Sequence, residues 1–358
     1  MLPTTQPPAP CTVDTLVIGA GQAGLAAAYY LQQRGVAFRV LEAAPTAGAA
    51  WARRFDSLRL FSPAWASGLP GRPRPGSPLR YPTRDETTAY LRDYAAHFGF
   101  PLEPNQTVTH LGAAPAGGYL ARTAAGGSYA ARRVIVATGP YTAPRVPAWA
   151  PQLPAAVAQL HSRDYQRPGQ LPGAGPVAVV GSGNSALQIA ADLAATGRPV
   201  YVAFDERTPA LPNNQLMWAF LVLSGLLRVS RSTGLGRKLH GRPEPVVSGD
   251  LARLRRFANA QFIGRAESAL PTGGLQGHRA VTPALDAVVW ATGYRPDYRW
   301  LDLPIVGPDG HPRHRRGITA APGVAFLGLD WLDSRRSALL HGAGPDARRV
   351  VAELLRMP

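Results

Sequence analysis

Val13-Asp-Thr-Leu-Val-Ile-Gly19-Ala-Gly21-Gln-Ala-Gly24-Leu-Ala-Ala-Ala-Tyr-Tyr-Leu31 joins an apolar run, three spaced glycines and an Ala-rich run. This order is typical of the strand, G-x-G-x-x-G turn and helix of a dinucleotide-binding site. We expect Gly19 to permit the tight turn, Gly21 to let a pyrophosphate approach the backbone, and Gly24 to let the helix pack on the strand. The helix N-terminus would then offer N–H groups and partial positive charge to the phosphates.

An acidic residue stands where such a site needs one. Phe38–Leu41 reads as a second strand, and Glu42 follows it, roughly 20 residues beyond the glycines. A carboxylate there is placed to accept hydrogen bonds from ribose hydroxyls. The alternative is a glycine-rich turn without a ligand, but the order of strand, glycines, helix, strand and acid favours the cofactor.

The same pattern occurs a second time. Val177-Ala-Val-Val-Gly181-Ser-Gly183-Asn-Ser185-Ala186 again joins a strand, G-x-G-x-x-A and a helix, and Val200–Phe204 reads as the next strand. We therefore predict an α/β fold with two Rossmann-like domains. Two such sites in one chain favour hydride transfer between two dinucleotides.

The end of that next strand bears on the choice of nicotinamide cofactor. Asp205 can accept from both ribose hydroxyls of NADH and would repel the 2′-phosphate of NADPH. Arg207 argues the other way, because a guanidinium pairs with phosphate. In the alternative, both side chains only face solvent. We expect NADH to be used at least as well as NADPH, within about tenfold, since exposed charges discriminate weakly.

Further apolar runs complete the expected sheets. Arg133–Gly139 and Ala287–Gly293 each end in Ala-Thr-Gly, and such runs are typical of strands buried on both faces. Val324–Leu327 predicts another strand, followed by Gly328 and Asp330. A small antiparallel insert is expected from Gln106–Leu111, Gly118–Thr123 and Ser128–Arg132.

Composition excludes several classes of function. The 358 residues carry a net charge of +16, with Lys238 as the one lysine. Because the arginines are scattered and no nucleic-acid motif occurs, we expect attraction for anionic cofactors rather than nucleic-acid binding. Cys11 is the one cysteine, so the dithiol of a disulfide reductase cannot form. We see no metal-ligand pattern, signal peptide or membrane span, and expect a cytoplasmic enzyme.

One apolar segment has several possible roles. Gln215–Val229 is strongly apolar and reads as helical. We leave four alternative roles open for this segment: a lid, a dimer face, a wall of the substrate pocket and a core helix.

With these motifs in place, the chain resembles the flavin-containing monooxygenase-like oxidoreductases of bacteria from about residue 12 onward. The resemblance implies FAD at the first fingerprint and NADPH or NADH at the second. It implies a discontinuous FAD-binding domain (12–145 and 285–358), a linker (146–171) and an NAD(P)H-binding domain (172–284). The motifs that carry it, besides both fingerprints, are Gly48–Trp51, both Ala-Thr-Gly strands, His161–Tyr165, Trp290–Asp297, Gly328–Trp331 and Ser337-Ala-Leu-Leu.

The resemblance also implies which residues contact the cofactors and the reacting atoms. Asp330 is expected on the ribityl chain; the alternative is a cap or a salt bridge to Arg335 or Arg336. The residues implied at the cofactors are Gly19, Gly21, Gly24, Glu42, Gly48, Trp51, Val108, Thr138, Gly139, Gly181, Gly183, Ser185, Asp205, Arg207, Thr292, Gly293, Gly328 and Asp330.

The chain departs from the family at three places. The loop Gly-Gly-x-Trp has Ala49 as its second residue, and the F-x-G-x-x-x-H pattern before His161 has Ala155 and Val157. The family's active-site Asn is replaced by Phe61. We expect Phe61 to pack beside the flavin ring at the catalytic site, the alternative being a core aromatic without flavin contact.

Two functions follow from the resemblance. The first is a monooxygenase that acts through a C4a-(hydro)peroxyflavin on small sulfides, amines or ketones, with O₂ as co-substrate. The second is an NAD(P)H oxidase or reductase that passes electrons to O₂, a quinone or a partner protein. A homodimer is compatible with either function.

Overall fold

The computed structural model describes residues 10–357. The helices in that range are α1 Gln22–Gln32, α2 Ala49–Ala52, α3 Arg84–Phe98, α4 Asn184–Ala194, α5 Gln215–Leu223, α6 Gly234–His240, α7 Ser248–Leu254 and α8 Leu340–Leu354.

The strands make two large sheets and three small two-stranded ones. In chain order they are β1 Cys11–Ile18, β2 Phe38–Leu41, β3 Leu102–Glu103, β4 Val108–Ala113, β5 Tyr119–Thr123, β6 Ser128–Val136, β7 Ala143–Pro144, β8 Ala158–His161, β9 Val177–Val180, β10 Val200–Ala203, β11 Ala210–Leu211, β12 Val246–Val247, β13 Ala260–Phe262, β14 Ala266–Ala269, β15 Leu275–Gly277, β16 Ala287–Trp290, β17 Tyr294–Arg295, β18 Leu301–Asp302 and β19 Val324–Phe326.

The first sheet has the order β18-β4-β5-β6-β1-β2-β3, with β19 also paired to β6. Its centre is parallel: Val17 of β1 lies opposite Val40 of β2 and Ile135 of β6. The expected antiparallel insert is present as β4, β5 and the first half of β6. Because the central strands are apolar on both faces, helices cover them and form one large core.

The second sheet has the order β13-β10-β9-β16-β8, and its strands are parallel. Separate apolar clusters pack on its two faces. The predicted α/β fold with two dinucleotide-binding domains is therefore confirmed.

The sheet pairing does not follow the expected segment boundaries. Strand β8, placed in the expected linker, and β16, placed in the expected return to the first domain, both pair within the second sheet. The chain rejoins the first sheet only at β18. An apolar run that ends in Ala-Thr-Gly occurs in both sheets, so this pattern cannot tell one sheet from the other.

The apolar segment 215–229 is not one helix. Helix α5 ends at Leu223, Gly225 adopts a left-handed conformation, and a short 3₁₀ turn follows at Leu226–Arg228. Within α5 only Trp218 is buried, so the helix does not belong to the core. None of the helices between residues 10 and 357 is long and apolar enough to cross a bilayer.

Helix α1 lies unusually close to its own strand turn. A Cβ atom added at Gly24 would stand 1.9 Å from the carbonyl oxygen of Gly19. We expect Gly24→Ala to lower the free energy of unfolding by about 3 kcal/mol, because the helix must move away from the sheet. Urea denaturation measures the change. Gly169→Ala is the control, since no atom lies within 4 Å of its added Cβ; an equal loss in both variants would contradict the packing argument.

Candidate dinucleotide sites and their junction

The first glycine turn joins β1 to α1. Gly19 has φ +105°, and an added Cβ would lie 2.7 Å from the carbonyl oxygen of Ala137. Gly21 precedes α1 with an extended backbone that any residue adopts, and an added Cβ there meets no protein atom within 4 Å. In the described part of the chain, no side chain caps α1. The turn therefore leaves both open space and helix N–H groups for an anionic group.

Glu42 closes this turn from the end of β2. Its carboxylate accepts hydrogen bonds from the backbone N–H groups of Ala20 (2.7 Å) and Ala44 (3.0 Å). The Glu42 carbonyl accepts from Gln106 N–H (2.8 Å), which brings the start of β4 at Val108 to the same edge. A carboxylate has about four lone-pair positions, so Glu42 keeps acceptor capacity for ribose hydroxyls.

The loop with Gly48 lies on the glycine turn. Gly48 N–H donates to the carbonyl of Ala20 (3.0 Å), and Gly48 has φ +73°. Its added Cβ would lie 2.8 Å from Leu91 Cβ of α3, so only glycine fits there. Ala49, which departs from the family pattern, is buried at the start of the short helix α2. Trp51 is partly buried against the first core.

The second glycine turn repeats the geometry between β9 and α4. An added Cβ at Gly181 would stand 2.1 Å from the carbonyl oxygen of Ala291, whereas one at Gly183 meets no atom within 4 Å. Ala186 takes the third-glycine position and is fully buried. Ser185 lies in the first turn of α4. This turn also leaves open space at a helix N-terminus.

Asp205 and Arg207 bind each other at the end of β10. Arg207 donates from Nε (3.0 Å) and Nη2 (2.8 Å) to the two carboxylate oxygens. These hydrogen bonds lower the pKa of Asp205 to about 2. The Asp205 N–H is held by Ser182 Oγ (2.8 Å). The pair is exposed, with the Arg207 side chain 80% accessible, so a role at a cofactor stays a prediction beside the alternative of two side chains that only face solvent.

The two Ala-Thr-Gly segments meet where the halves of the chain join. Gly139 and Gly293 have φ +75° and +83°, and β7 pairs with β17 just beyond them. The Thr292 hydroxyl donates to the carbonyl of Arg145, so in this structure it holds the junction together. Thr138 lies exposed at the end of β6.

Asp330 follows Gly328, which packs against the first turn of α1. Gly328 has φ +76°, and its added Cβ would lie 2.6 Å from Ala23 Cβ in the first turn of α1. Desolvation and the nearby charge of Glu244 raise the pKa of Asp330 to about 6. Arg335 pairs with Glu244 at 2.7 Å, and in the described residues Asp330 has no salt bridge. The expected alternative of an Asp330 salt bridge is therefore wrong.

A cluster that sequence reasoning missed spans the junction. Arg54 Nη1 donates to Tyr294 Oη (2.7 Å), and its guanidinium lies 5.1 Å from the Tyr141 ring centre. His161 Nε2–H donates to the carbonyl of Gly293 (3.0 Å). Tyr141 is 52% exposed, yet desolvation and the Asp330 charge raise its pKa. These groups therefore lie together at the junction, within electrostatic range of Asp330.

Phe61 does not belong to the core. Its side chain is 37% exposed and stacks on Trp218 with ring centres 6.4 Å apart. Trp218 Nε1 donates to the carbonyl of Phe61 (2.9 Å). Leu339, just before α8, packs against the same small cluster. Phe61 is therefore a partly exposed aromatic stacked on the buried Trp218, and its contact with the flavin ring stays a prediction.

These features define a class: an oxidoreductase with two dinucleotide sites at the carboxyl ends of two parallel sheets. Residues 16–215, more than half of the chain, match the family described as "Pyridine nucleotide-disulphide oxidoreductase". The chain belongs to this family, in its flavin-containing monooxygenase-like branch.

Relatives known by sequence or by structure are consistent with this family assignment. The chain is 38% identical to the "Uncharacterized oxidoreductase CzcO-like" of Geobacillus kaustophilus, which covers 96% of this chain and 98% of that protein. A solved flavin-containing monooxygenase from Stenotrophomonas maltophilia is 31% identical with a TM-score of 0.77, covering 96% of this chain and 98% of that one. The indole-3-pyruvate monooxygenase YUCCA6 of Arabidopsis thaliana is 32% identical over 98% of this chain and 92% of its own length.

The two open glycine positions allow a paired test. Gly21 and Gly183 have backbones that valine adopts, and an added Cβ at either position meets no atom within 4 Å. We expect Gly21→Val to lose at least about tenfold of the bound flavin and Gly183→Val to keep the flavin while raising the KM for the nicotinamide about tenfold or more, because each side chain fills one pyrophosphate space.

Flavin absorbance per protein and steady-state kinetics measure the two effects, and each variant is the control for the other. Full flavin content in Gly21→Val would contradict the assignment of the first site.

Proposed function

We propose that this enzyme is an FAD- and NAD(P)H-dependent monooxygenase that acts on small sulfides, amines or ketones. The observation that carries the proposal is the pair of glycine turns, each open at its second glycine, on two sheets that are joined where β7 pairs with β17. The 31% identity to a flavin-containing monooxygenase over nearly the whole chain supports the same reading.

For the first site we propose FAD. The N-terminus of α1 would hold the pyrophosphate, and Glu42 would accept from the adenosine ribose hydroxyls. Asp330 would accept from the ribityl hydroxyls, since it is exposed in the cleft and has no salt bridge in the described residues. When bound, the flavin takes a hydride from the nicotinamide and, once reduced, reacts with O₂.

For the second site we propose the nicotinamide cofactor, with the N-terminus of α4 at its pyrophosphate. The Asp205–Arg207 pair would contact the adenosine ribose. The domains we propose follow the sheets: the first sheet with its helices for FAD, and the segment from β8 to β16 for the nicotinamide.

The residues of the junction cluster would orient the reacting groups and limit the access of water to them. The rings of Tyr141 and Tyr294 lie 5.2 Å apart in a tilted arrangement, and the Arg54 guanidinium lies over both rings. This cluster supplies hydrogen-bond donors beside Asp330. Phe61 and Trp218 supply an apolar wall, and such a wall suits a small apolar substrate.

The fraction of NADPH electrons that ends in oxygenated product, rather than in H₂O₂, tests the monooxygenase proposal. With excess thioether, NADPH and air, we expect about one sulfoxide for each NADPH oxidised, because a dry pocket limits the loss of activated oxygen. Chromatography measures the sulfoxide and a peroxidase assay measures H₂O₂. Catalase-treated and substrate-free reactions are the controls. Stoichiometric H₂O₂ without oxygenated product would instead establish the NAD(P)H oxidase or reductase.

The Asp205–Arg207 pair sets the choice of cofactor in this proposal. Because the pair is exposed, each charge discriminates only weakly between the two cofactors. We expect wild-type kcat/KM values for NADH and NADPH within about tenfold of each other. Asp205→Ser should shift the ratio toward NADPH and Arg207→Ser toward NADH, each about fivefold.

A matched pair elsewhere serves as the control. Asp297 and Arg299 form the same bidentate contact, with Nε at 2.9 Å and Nη2 at 2.7 Å from the two carboxylate oxygens. Arg299→Ser should leave the cofactor ratio unchanged. A strong NADPH preference that neither Asp205→Ser nor Arg207→Ser alters would overturn the assignment.

A further inference from the structure

Helix α5 presents an apolar stripe to the outside of the molecule. Leu216, Phe220 and Leu223 are 82%, 59% and 84% exposed. At about 100° per residue, the three side chains fall within an arc of about 60°. On the opposite side Trp218 is buried, and its Nε1 donates to the carbonyl of Phe61 (2.9 Å) and to Asn213 Oδ1 (2.9 Å). The helix is thus anchored on one face and apolar on the other.

A second loop enlarges this stripe. Gln215 at the start of α5 accepts from Trp65 Nε1 (2.9 Å) and donates to the carbonyl of Leu79 (2.7 Å). Trp65 and Leu79 are themselves 40% and 59% exposed. A contiguous apolar patch of this kind marks an interaction surface, whereas single exposed apolar residues do not.

The segment of chain that begins just before α5 and ends at Pro243 carries charge of one sign. Between positions 213 and 243 the sequence has five cationic residues and no aspartate or glutamate. The 3₁₀ turn Leu226–Arg228, which carries the first of these cations, packs on α5. All five are exposed, and within residues 10–357 none of them forms an ion pair with a carboxylate. We call Arg228, Arg231, Arg237, Lys238 and Arg242 the basic segment.

We propose that helix α5 and the basic segment form a docking surface for an anionic lipid bilayer. Leu216, Phe220 and Leu223 enter the boundary between headgroups and acyl chains, and the basic segment contacts the anionic headgroups. Surface-lying amphipathic helices with basic flanks bind membranes in this way, and each added apolar or cationic group strengthens the binding.

Charge argues against a second copy of the chain as the occupant. An isologous dimer brings the same patch of both subunits together, so the five cations of one basic segment would face those of the other. The net charge of +16 on each chain adds to this repulsion. An anionic bilayer instead complements the cations and accepts the apolar stripe at the same time.

The test measures binding of the full-length flavoenzyme to sedimented vesicles of phosphatidylcholine, with and without phosphatidylglycerol. We expect binding only to the vesicles with phosphatidylglycerol, weakened by high salt because the contact is partly electrostatic. The triple variant Leu216→Ser, Phe220→Ser, Leu223→Ser and the double variant Arg237→Glu, Lys238→Glu should each bind at least about tenfold more weakly.

Matched controls separate the surface from general effects. Val281→Ser removes an apolar residue that is 50% exposed elsewhere. The double variant Arg256→Glu, Arg315→Glu makes the same change in net charge at other exposed arginines. Both controls should bind within about threefold of the wild type. NADPH oxidation by every variant shows that the fold and the flavin site are intact.

A probe on the stripe reports insertion directly. Because Cys11 is the one cysteine, a Cys11→Ser, Leu223→Cys protein takes a single environment-sensitive fluorophore. Its emission should shift to shorter wavelength with anionic vesicles and not with neutral ones.

Any one of four results would overturn the proposal. The first is no binding to anionic vesicles, and the second is unchanged binding of the triple serine variant. The third is a wild-type dimer in sedimentation velocity that the triple serine variant turns into a monomer, which would show that a second copy covers the stripe. Competition of vesicle binding by an acidic polypeptide, with no fluorophore shift on vesicles, would assign the surface to an acidic protein instead.

Discussion

The first site depends on one constraint: helix α1 packs directly against the glycine turn that precedes it. Gly24 leaves no space for even a methyl group beside Gly19, and Gly328 leaves none beside Ala23 on another side of the same helical turn. Because both neighbours approach the backbone of α1, its N-terminus, Glu42 and Asp330 lie around one short stretch of chain. Larger side chains at these glycines would separate groups that a single dinucleotide has to contact together.

Sequence patterns predicted those parts of the fold that depend on residues close together in the chain. The spacing around Gly21 and Gly183 predicted both strand–turn–helix units, since steric demands act within a few residues. Sheet membership was not predictable in this way. Strand β16 and the end of β6 have the same apolar composition and the same Ala-Thr-Gly end, and only the long-range pairing of β16 with β9 places it in the second sheet.

The cluster at the junction escaped the sequence analysis for a similar reason. Arg54, Tyr141, His161 and Tyr294 come from four distant stretches, and their contacts exist only once the two sheets are joined. One signal was available. Tyr141 and Tyr294 stand within two residues of Gly139 and Gly293, and residues just after buried parallel strands lie at the sheet edge where ligands bind. Aromatic residues at both strand ends indicate a shared cleft.

In the function we propose, the position of this cluster would let two separate sheets serve one reaction. Each glycine turn lies on its own sheet, so the pyrophosphates of two cofactors would be held apart, while β7 pairs with β17 and joins the two halves. The extended length of a dinucleotide would carry its reactive ring from the turn toward this junction. Hydrogen bonds across the junction, from Arg54 to Tyr294 and from Thr292 to Arg145, then set the separation of the halves. A substitution that removes either hydrogen bond would change the distance between the flavin and nicotinamide rings and leave both pyrophosphate sites intact.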